Sequence, residues 1–293
     1  MRQNLEPIIV FSHLRWDFVY QRPQHLLSRI AAHRPVYFIE EPIFDGDNPA
    51  HWDFDRPAEN VLVCRPRTPV EQWGFNKEQM PYFAPLLREL VQQEKLDSYV
   101  VWLYTPMALP IAKTLTPEAV VFDVMDELSA FKFAPQELHD LEAQTLDWAD
   151  VVFTGGPSLY KAKQGRHNNL HLFSSSVDAG HFGASQEAHE APDQKELVHP
   201  RLGFYGVIDE RMDLGLLEAL ANAHPEWQIA MVGPVVKIDP ASLPQQPNLR
   251  FLGQRSYAEL PSYLASWDVA LLPFALNEST RFISPTKTLE YMA

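Results

Sequence analysis

Seven continuous apolar runs, each bounded by polar or turn residues, mark the first 175 residues. They are PIIVFS (7–12), PVYFIE (35–40), NVLVCR (60–65), SYVVWLY (98–104), AVVFDV (119–124), DVVFTG (150–155) and LHLFSS (170–175). Hydrophobicity that is continuous rather than alternating predicts strands covered on both faces, as in a parallel sheet. Between them, HLLSRIAAH (25–33) and PQELHDLEAQTLDWAD (135–150) place apolar residues at helical spacing. This alternation predicts a doubly wound α/β domain.

The pattern breaks after SSSVDAGHF (174–182). GASQEAHEAPDQKELVHP (183–200) is polar and charged, has no period, and reads as a linker or exposed loop. The alternation then restarts with RLGFYGV (201–207), a helix over 213–223, WQIAMVG (227–233), NLRFLG (248–253), a helix over 257–266 and DVALLPF (268–274). The expected organisation is a first domain over 1–183, a linker over 184–200 and a second α/β domain over 201–293. A doubly wound half usually carries a further strand or two, so the second domain reads as incomplete and the chain as a fragment of a longer protein.

Composition narrows the function classes. With 293 residues, 46% of them hydrophobic, the chain can build two real cores. Its single cysteine, Cys64, excludes a disulfide framework and a cysteine zinc site, and fits a reducing cytosol. The net charge of −14 argues against a broad nucleic-acid surface. It does not argue against a single cationic pocket for a small anion. No stretch is apolar for the roughly 20 residues a membrane helix needs, and MRQNLEPIIVFSH reads as a first strand, not a signal peptide. Peripheral association with a membrane is left open, with no Lys/Arg cluster to support it.

Four places carry candidate chemistry. At the end of the chain, RFISPTKTLEYMA (281–293) follows a strand and opens a helix, with Thr286 as the expected N-cap. Such a place suits a phosphate, to which Lys287 adds a full charge. Glu290, three residues on, suits a ribose diol. Spacing alone favours a solvated Lys287–Glu290 pair. In FYGVIDERMD (204–213), Gly206 permits close approach to a ligand, and Arg211 suits a diphosphate or an ion pair with Asp209 or Asp213. The loop FSHLRWDFVYQRPQHLL (11–27) carries His13, Arg15, Trp16, Gln21, Arg22, Gln24 and His25. It reads as a contact surface for a polar or sugar-like ligand, with Trp16 as a stacking face, or as a loop bonded to itself. In VVFDVMDELSAF (120–131), Asp123, Asp126 and Glu127 gather after a strand, as base, metal ligand or sugar partner, with Asp126 equally suited to capping a helix. No G-x-G-x-x-G, H-E-x-x-H or G-x-S-x-G is present.

Taken together, the chain resembles the GT-B-fold glycosyltransferases of the group 1, family 4-like class, in its teichuronic-acid-type branch. The likeness rests on SHLRWDFVYQRPQHLL, YTPMALP (104–110), FDVMDE, ADVVFTGGPSLY (149–160), SSSVDAGHF, FYGVIDERMDL, NLRFLGQRSYAELPSYLASWDVALLPF and SPTKTLEYMA. It implies two Rossmann-like domains facing across a cleft, the second one incomplete. The donor, a nucleotide-diphosphate sugar, would bind the second domain. A saccharide or lipid-linked acceptor would bind the first, around His13, Trp16, Gln21, Arg22, Gln24, His25 and Asp123.

On the donor side the resemblance implies Gly206, Arg211, Gly233, Gly253, Asn277, Thr280, Ser284, Thr286, Lys287 and Glu290, with Glu290 on the ribose and Phe251 to Arg255 beside the base. The family's other motif glutamate falls on Phe282 here, so Asn277, Glu278 or Thr280 would take its sugar contacts. The reaction implied is a retaining, metal-independent transfer in envelope or exopolysaccharide synthesis. Arg211 and Lys287 would stabilise the leaving diphosphate and Asp126 would serve the acceptor. No cofactor beyond the co-substrate is implied, and the setting is the cytoplasm or the inner face of its membrane. Two rival readings are a GT-B epimerase or hydrolase acting on sugar nucleotides, and a non-catalytic nucleotide-sugar-binding fragment.

Overall fold

The computed structural model describes residues 5–131, 134–186, 188–277, 280–283 and 285–293. The chain divides into two compact units, Met1–Ser174 and Ser175–Ala293.

The first unit begins with strand β1 (Ile8–Ser12), whose five residues are all buried, and helix α1 (Arg22–Ala31). Next come β2 (Val36–Glu40), the short β3 (Ile43–Phe44), β4 (His51–Ala58), β5 (Val61–Thr68) and helix α2 (Met80–Gln93). Then β6 (Val100–Leu103), α3 (Leu109–Ala112), β7 (Ala119–Val124), α4 (Leu138–Trp148), β8 (Val151–Thr154), α5 (Pro157–Lys163) and β9 (Leu170–Leu172) alternate. One sheet forms in the order β3-β5-β2-β1-β6-β7-β8-β9, with β4 paired to β5. The pairings are parallel except β4 with β5. Ile8, Val10, Phe38, Val63, Trp102 and Val121 meet in its core. Order reverses between β1 and β6, and ligands of open α/β sheets sit beyond the carboxyl ends of strands at such a point. Arg22, Pro23 and Gln24 begin α1 earlier than the apolar spacing from His25 suggests, because Pro23 suits a first helical turn.

In the second unit, helix α6 (Ala179–Gly183) precedes β10 (Arg201–Tyr205), α7 (Leu214–Ala223), β11 (Gln228–Val232), β12 (Leu249–Gly253), α8 (Leu260–Leu264), β13 (Val269–Ala270) and α9 (Thr286–Met292). Its parallel sheet runs β12-β11-β10-β13. Phe204, Ile208, Leu217, Ile229 and Met231 meet on one side of the sheet, and Phe182, Tyr205, Val232 and Tyr263 on the other.

The expected linker is part of this second unit. Gln194 is fully buried and bonds Tyr263 O, Ser266 Oγ and Trp267 Nε1. Asp193 pairs with Arg255 at 2.6 Å and accepts the Tyr263 hydroxyl at 2.8 Å. Side-chain bonds fix this polar segment where apolar periodicity is missing. The boundary therefore falls at Ser174–Ser175, not at 183. The expected strand over 268–274 pairs with β10 through Val269 and Ala270, Leu271 N donates to Gly203 O at 2.7 Å, and Phe274 forms an isolated antiparallel bridge with Met212.

Candidate functional site

Three glycines lie side by side at the carboxyl ends of the second sheet. Gly206 N donates to Val232 O, and Gly233 N donates to Gly253 O, each at 2.8 Å. Gly206 and Gly233 have φ of +140° and +145°, where a Cβ is strained. A Cβ at Gly233 would sit 1.8 Å from Gly206 O, so these strand ends pass with no room for a side chain.

Into this place α9 brings Lys287. A Cβ at Gly206 would meet Lys287 Cε at 2.3 Å and Nζ at 3.0 Å. The ammonium stands 5.9 Å from the centre of the Phe204 ring. Glu290 lies beside it: burial pushes its carboxyl up, while Lys287, Tyr205 and His181 pull it down. Burial, then the charge of Glu290, pushes the Tyr205 hydroxyl up. That hydroxyl is buried and faces the Glu290 carboxyl. His181 stacks on Tyr257 at 4.1 Å and bonds Tyr257 O at 2.9 Å. The Lys287–Glu290 pair is thus not a solvated surface pair. It lies against Gly206 and Tyr205, at the end of the central strand.

Arg211 follows in the loop from β10. Its Nε donates to both Asp209 oxygens at 2.9 and 3.1 Å, and its Nη2 to Oδ2 at 2.8 Å. Asp209 is buried, so this fork holds the guanidinium at a fixed place. Asp213 instead caps α7 through Leu216 N at 2.8 Å.

Thr286 is not the N-cap: Pro285 holds that position without a side-chain bond, and Thr286 is the first helical residue. Asn277 and Thr280 close a turn on each other, with Thr280 N donating to Asn277 Oδ1 at 3.1 Å and Asn277 N to Thr280 Oγ1 at 3.0 Å. Gly253 is exposed, with φ +76°. Ser284 and Glu278 lie outside the described residues.

In the first unit the 11–27 loop is largely bonded to itself and to the core. Trp16 is buried against Phe38, ring centres 5.1 Å apart, and offers no stacking face, because the neighbouring strands enclose it. Gln24, also buried, holds the loop by donating to Trp16 O and Val19 O at 2.9 and 3.1 Å and accepting Gln21 N at 3.0 Å. Arg22 Nε donates to both Asp123 oxygens at 3.0 Å, and Nη1 to Phe173 O at 2.7 Å. Burial pushes Asp123 up and the Arg22 charge opposes it. Trp16, Arg22, Gln24 and Asp123 are therefore buried within the fold. His13, Gln21 and His25 are half-exposed, with His25 set edge-on to Tyr20 at 4.6 Å.

Asp126 is half-exposed, and Glu127 rather than Asp126 stands at the N-cap of the short turn that follows. Lys163 anchors this loop. Its buried ammonium contacts Glu127 at 2.7 Å and Glu142 at 2.8 Å. Burial pushes Glu142 up, but Lys163 and Arg166 outweigh it and hold the carboxyl below its usual range. Neither Lys163 nor Tyr205 carries a local sequence signal. Lys163 finds partners from distant segments, and Tyr205 is an ordinary strand residue until Gly206 marks the strand end. Among the described residues no three His, Cys, Asp or Glu side chains converge as a metal group, and no helix is long and apolar enough to cross a membrane.

No protein-family profile matches the sequence. The chain is 23% identical over 230 residues to a Bacillus subtilis (strain 168) protein, provisionally assigned as the teichuronic acid biosynthesis glycosyltransferase TuaH. That match covers 72% of this chain but 57% of the relative, so the chain spans little more than half of that protein's length. Among solved structures it is similar to sucrose-phosphate synthase from Thermosynechococcus elongatus, with a TM-score of 0.64, 14% identity and coverage of 93% of this chain and 77% of that one. It is also similar to an α,α-trehalose-phosphate synthase (UDP-forming) from Burkholderia xenovorans in complex with glucose-6-phosphate, with a TM-score of 0.62, 12% identity and coverage of 98% and 82%. At such identities the likeness shows the fold: two Rossmann-like α/β units of the GT-B type.

Proposed function

We propose that this GT-B-fold protein is a glycosyltransferase that moves a sugar from a nucleotide-diphosphate donor to a saccharide or lipid-linked acceptor in envelope polysaccharide synthesis. The observation that carries the reading is Lys287 drawn over the glycine crossing at Gly206 with Glu290 beside it. The likeness to TuaH and to UDP-forming synthases supports the substrate class.

Breaking the bond between the anomeric carbon and the diphosphate leaves positive charge on the sugar ring and negative charge on the departing oxygens. Cations already fixed near those oxygens lower the barrier without reorganising during the reaction. Lys287 and Arg211 supply them, Arg211 held by Asp209. Glu290 accepts the ribose hydroxyls. On the first unit Asp126 orients the acceptor hydroxyl and takes its proton. We assign a retaining, metal-independent course, and a cytoplasmic protein that meets lipid-linked acceptors at the membrane's inner face.

The test is product analysis with UDP-glucose and GDP-mannose, with and without a saccharide acceptor. Acceptor-dependent release of nucleoside diphosphate with a lengthened glycoside supports transfer. Conversion of the donor to an epimer or free sugar without acceptor would replace it by epimerase or hydrolase chemistry.

A further inference from the structure

Trp73 is 93% exposed. The other six of the seven tryptophans are buried or half-buried, so elsewhere the fold covers its indoles. The loop that carries Trp73 is nevertheless firmly held. It leaves β5 at Thr68, whose hydroxyl donates to Gln79 Oε1 at 2.7 Å, both side chains being buried. Gln79 Nε2 donates to Gln72 O at 3.0 Å, and Asn76 Nδ2 to Gln72 O and Trp73 O, each at 2.9 Å. Phe75 is buried against Phe83 and Phe11, ring centres 6.1 and 6.2 Å away. The chain is thus fixed on both sides of Trp73 while its ring stays in water and gains no burial energy.

This loop lies at the ligand-bearing end of the first sheet. β2 and β5 run parallel, and Glu41 follows the last residue of β2, Glu40, which is in register with Ser12 at the end of β1. A Cβ at Gly74, the residue after Trp73, would meet Glu41 Oε1 at 3.4 Å. Arg15, from the 11–27 loop, donates to Glu41 O at 2.6 Å. An aromatic face in water with a half-exposed carboxyl beside the next residue suits a sugar ring. Its C–H face stacks on the indole, and its hydroxyls donate to the carboxyl. Charge narrows the ligand further. Segments 41–47 and 69–79 carry Glu41, Asp45, Asp47, Glu71 and Glu78 against Lys77. They repel phosphate, whether of a nucleotide or of a lipid headgroup.

We infer that Trp73 is the stacking face for an uncharged saccharide acceptor, with Glu41 accepting its hydroxyls. This assignment rests on the transfer reading above, and gives Trp73 the role that the buried Trp16 cannot fill.

Indole NMR of the full chain titrated with maltotriose, chitotriose and mannotriose tests this, the Trp73 signal being assigned by its loss in Trp73→Phe. At least one trisaccharide should shift that signal. Its calorimetric Kd should rise about tenfold or more in Trp73→Ala and less in Trp73→Phe, which keeps a ring. Both variants should keep the wild-type melting temperature and the wild-type Kd for UDP and GDP. Equal saccharide affinity in wild type and Trp73→Ala, or no shift with any of the three, overturns the inference. So does Trp73-dependent binding to phosphatidylglycerol vesicles without saccharide binding, which would make the indole a membrane anchor. UDP and GDP report on the transfer reading separately: wild type that binds a trisaccharide at Trp73 but neither nucleotide keeps the saccharide site and removes the donor site.

Discussion

Lys287 lies across the backbone of Gly206, so close that a methyl group there would meet its Cε at 2.3 Å. One residue comes from the last helix and the other from the end of the central strand of the same unit. Their contact turns two separate sequence motifs into one site. It also explains why glycine stands at 206: any side chain would push the ammonium off the strand end.

The glycine crossing gives a direct prediction. Gly233→Ala places a methyl group 1.8 Å from Gly206 O, at φ +145°. The colliding atom is backbone, so it cannot rotate away. We expect a loss of about 3 kcal/mol in urea unfolding together with loss of nucleotide binding. A variant with wild-type stability and binding would show that the strand ends separate easily.

Lys163 neutralises two carboxylates in a buried place, contacting Glu127 and Glu142. Lys163→Met leaves Glu127 without its ammonium and Glu142 with Arg166 alone, and should cost about 3–5 kcal/mol. The pH dependence follows from Glu142, whose folded carboxyl is held below its unfolded value of 4.5. Its contribution is present above pH 4.5 and is lost as pH falls through the depressed folded value. Wild type should therefore lose stability on the acid side more steeply than Lys163→Met. Parallel acid limbs in the two unfolding series would contradict this.

Glu41 predicts the opposite slope. Burial raises its carboxyl from 4.5 to about 7, against the charge of Arg15. The folded state then binds a proton that the unfolded state has released. Its stabilising contribution is complete below pH 4.5 and is lost as pH rises through 7. Glu41→Gln should remove that decline and raise the melting temperature at pH 8 relative to wild type. A melting temperature at pH 8 that stays equal or falls would argue against it.

The buried strands were legible because a parallel sheet demands unbroken apolar runs, and β1, β2 and β7 sit within a residue of where those runs predict. β4 was not, because HWDFDRPA is a largely exposed edge strand carrying a proline and has no such run. Segment 184–200 reads as a linker because the order around Asp193 and Gln194 comes from their side chains, which polarity alone does not reveal. In the site, Arg211 with Asp209 was visible as a local pair. Arg22 with Asp123 joins residues 101 apart, which no local pattern could couple. Trp16 looked like a ligand face only because chemistry along the chain does not say which loop residues the fold encloses.

The donor site is tested most directly by calorimetric titration of UDP and GDP into wild type, Lys287→Ala and Glu290→Ala. Both variants should bind the nucleotide at least tenfold more weakly, about 1.4 kcal/mol or more, while keeping the wild-type unfolding transition. Unchanged affinity in both would contradict the assignment of Lys287 and Glu290 to the nucleotide.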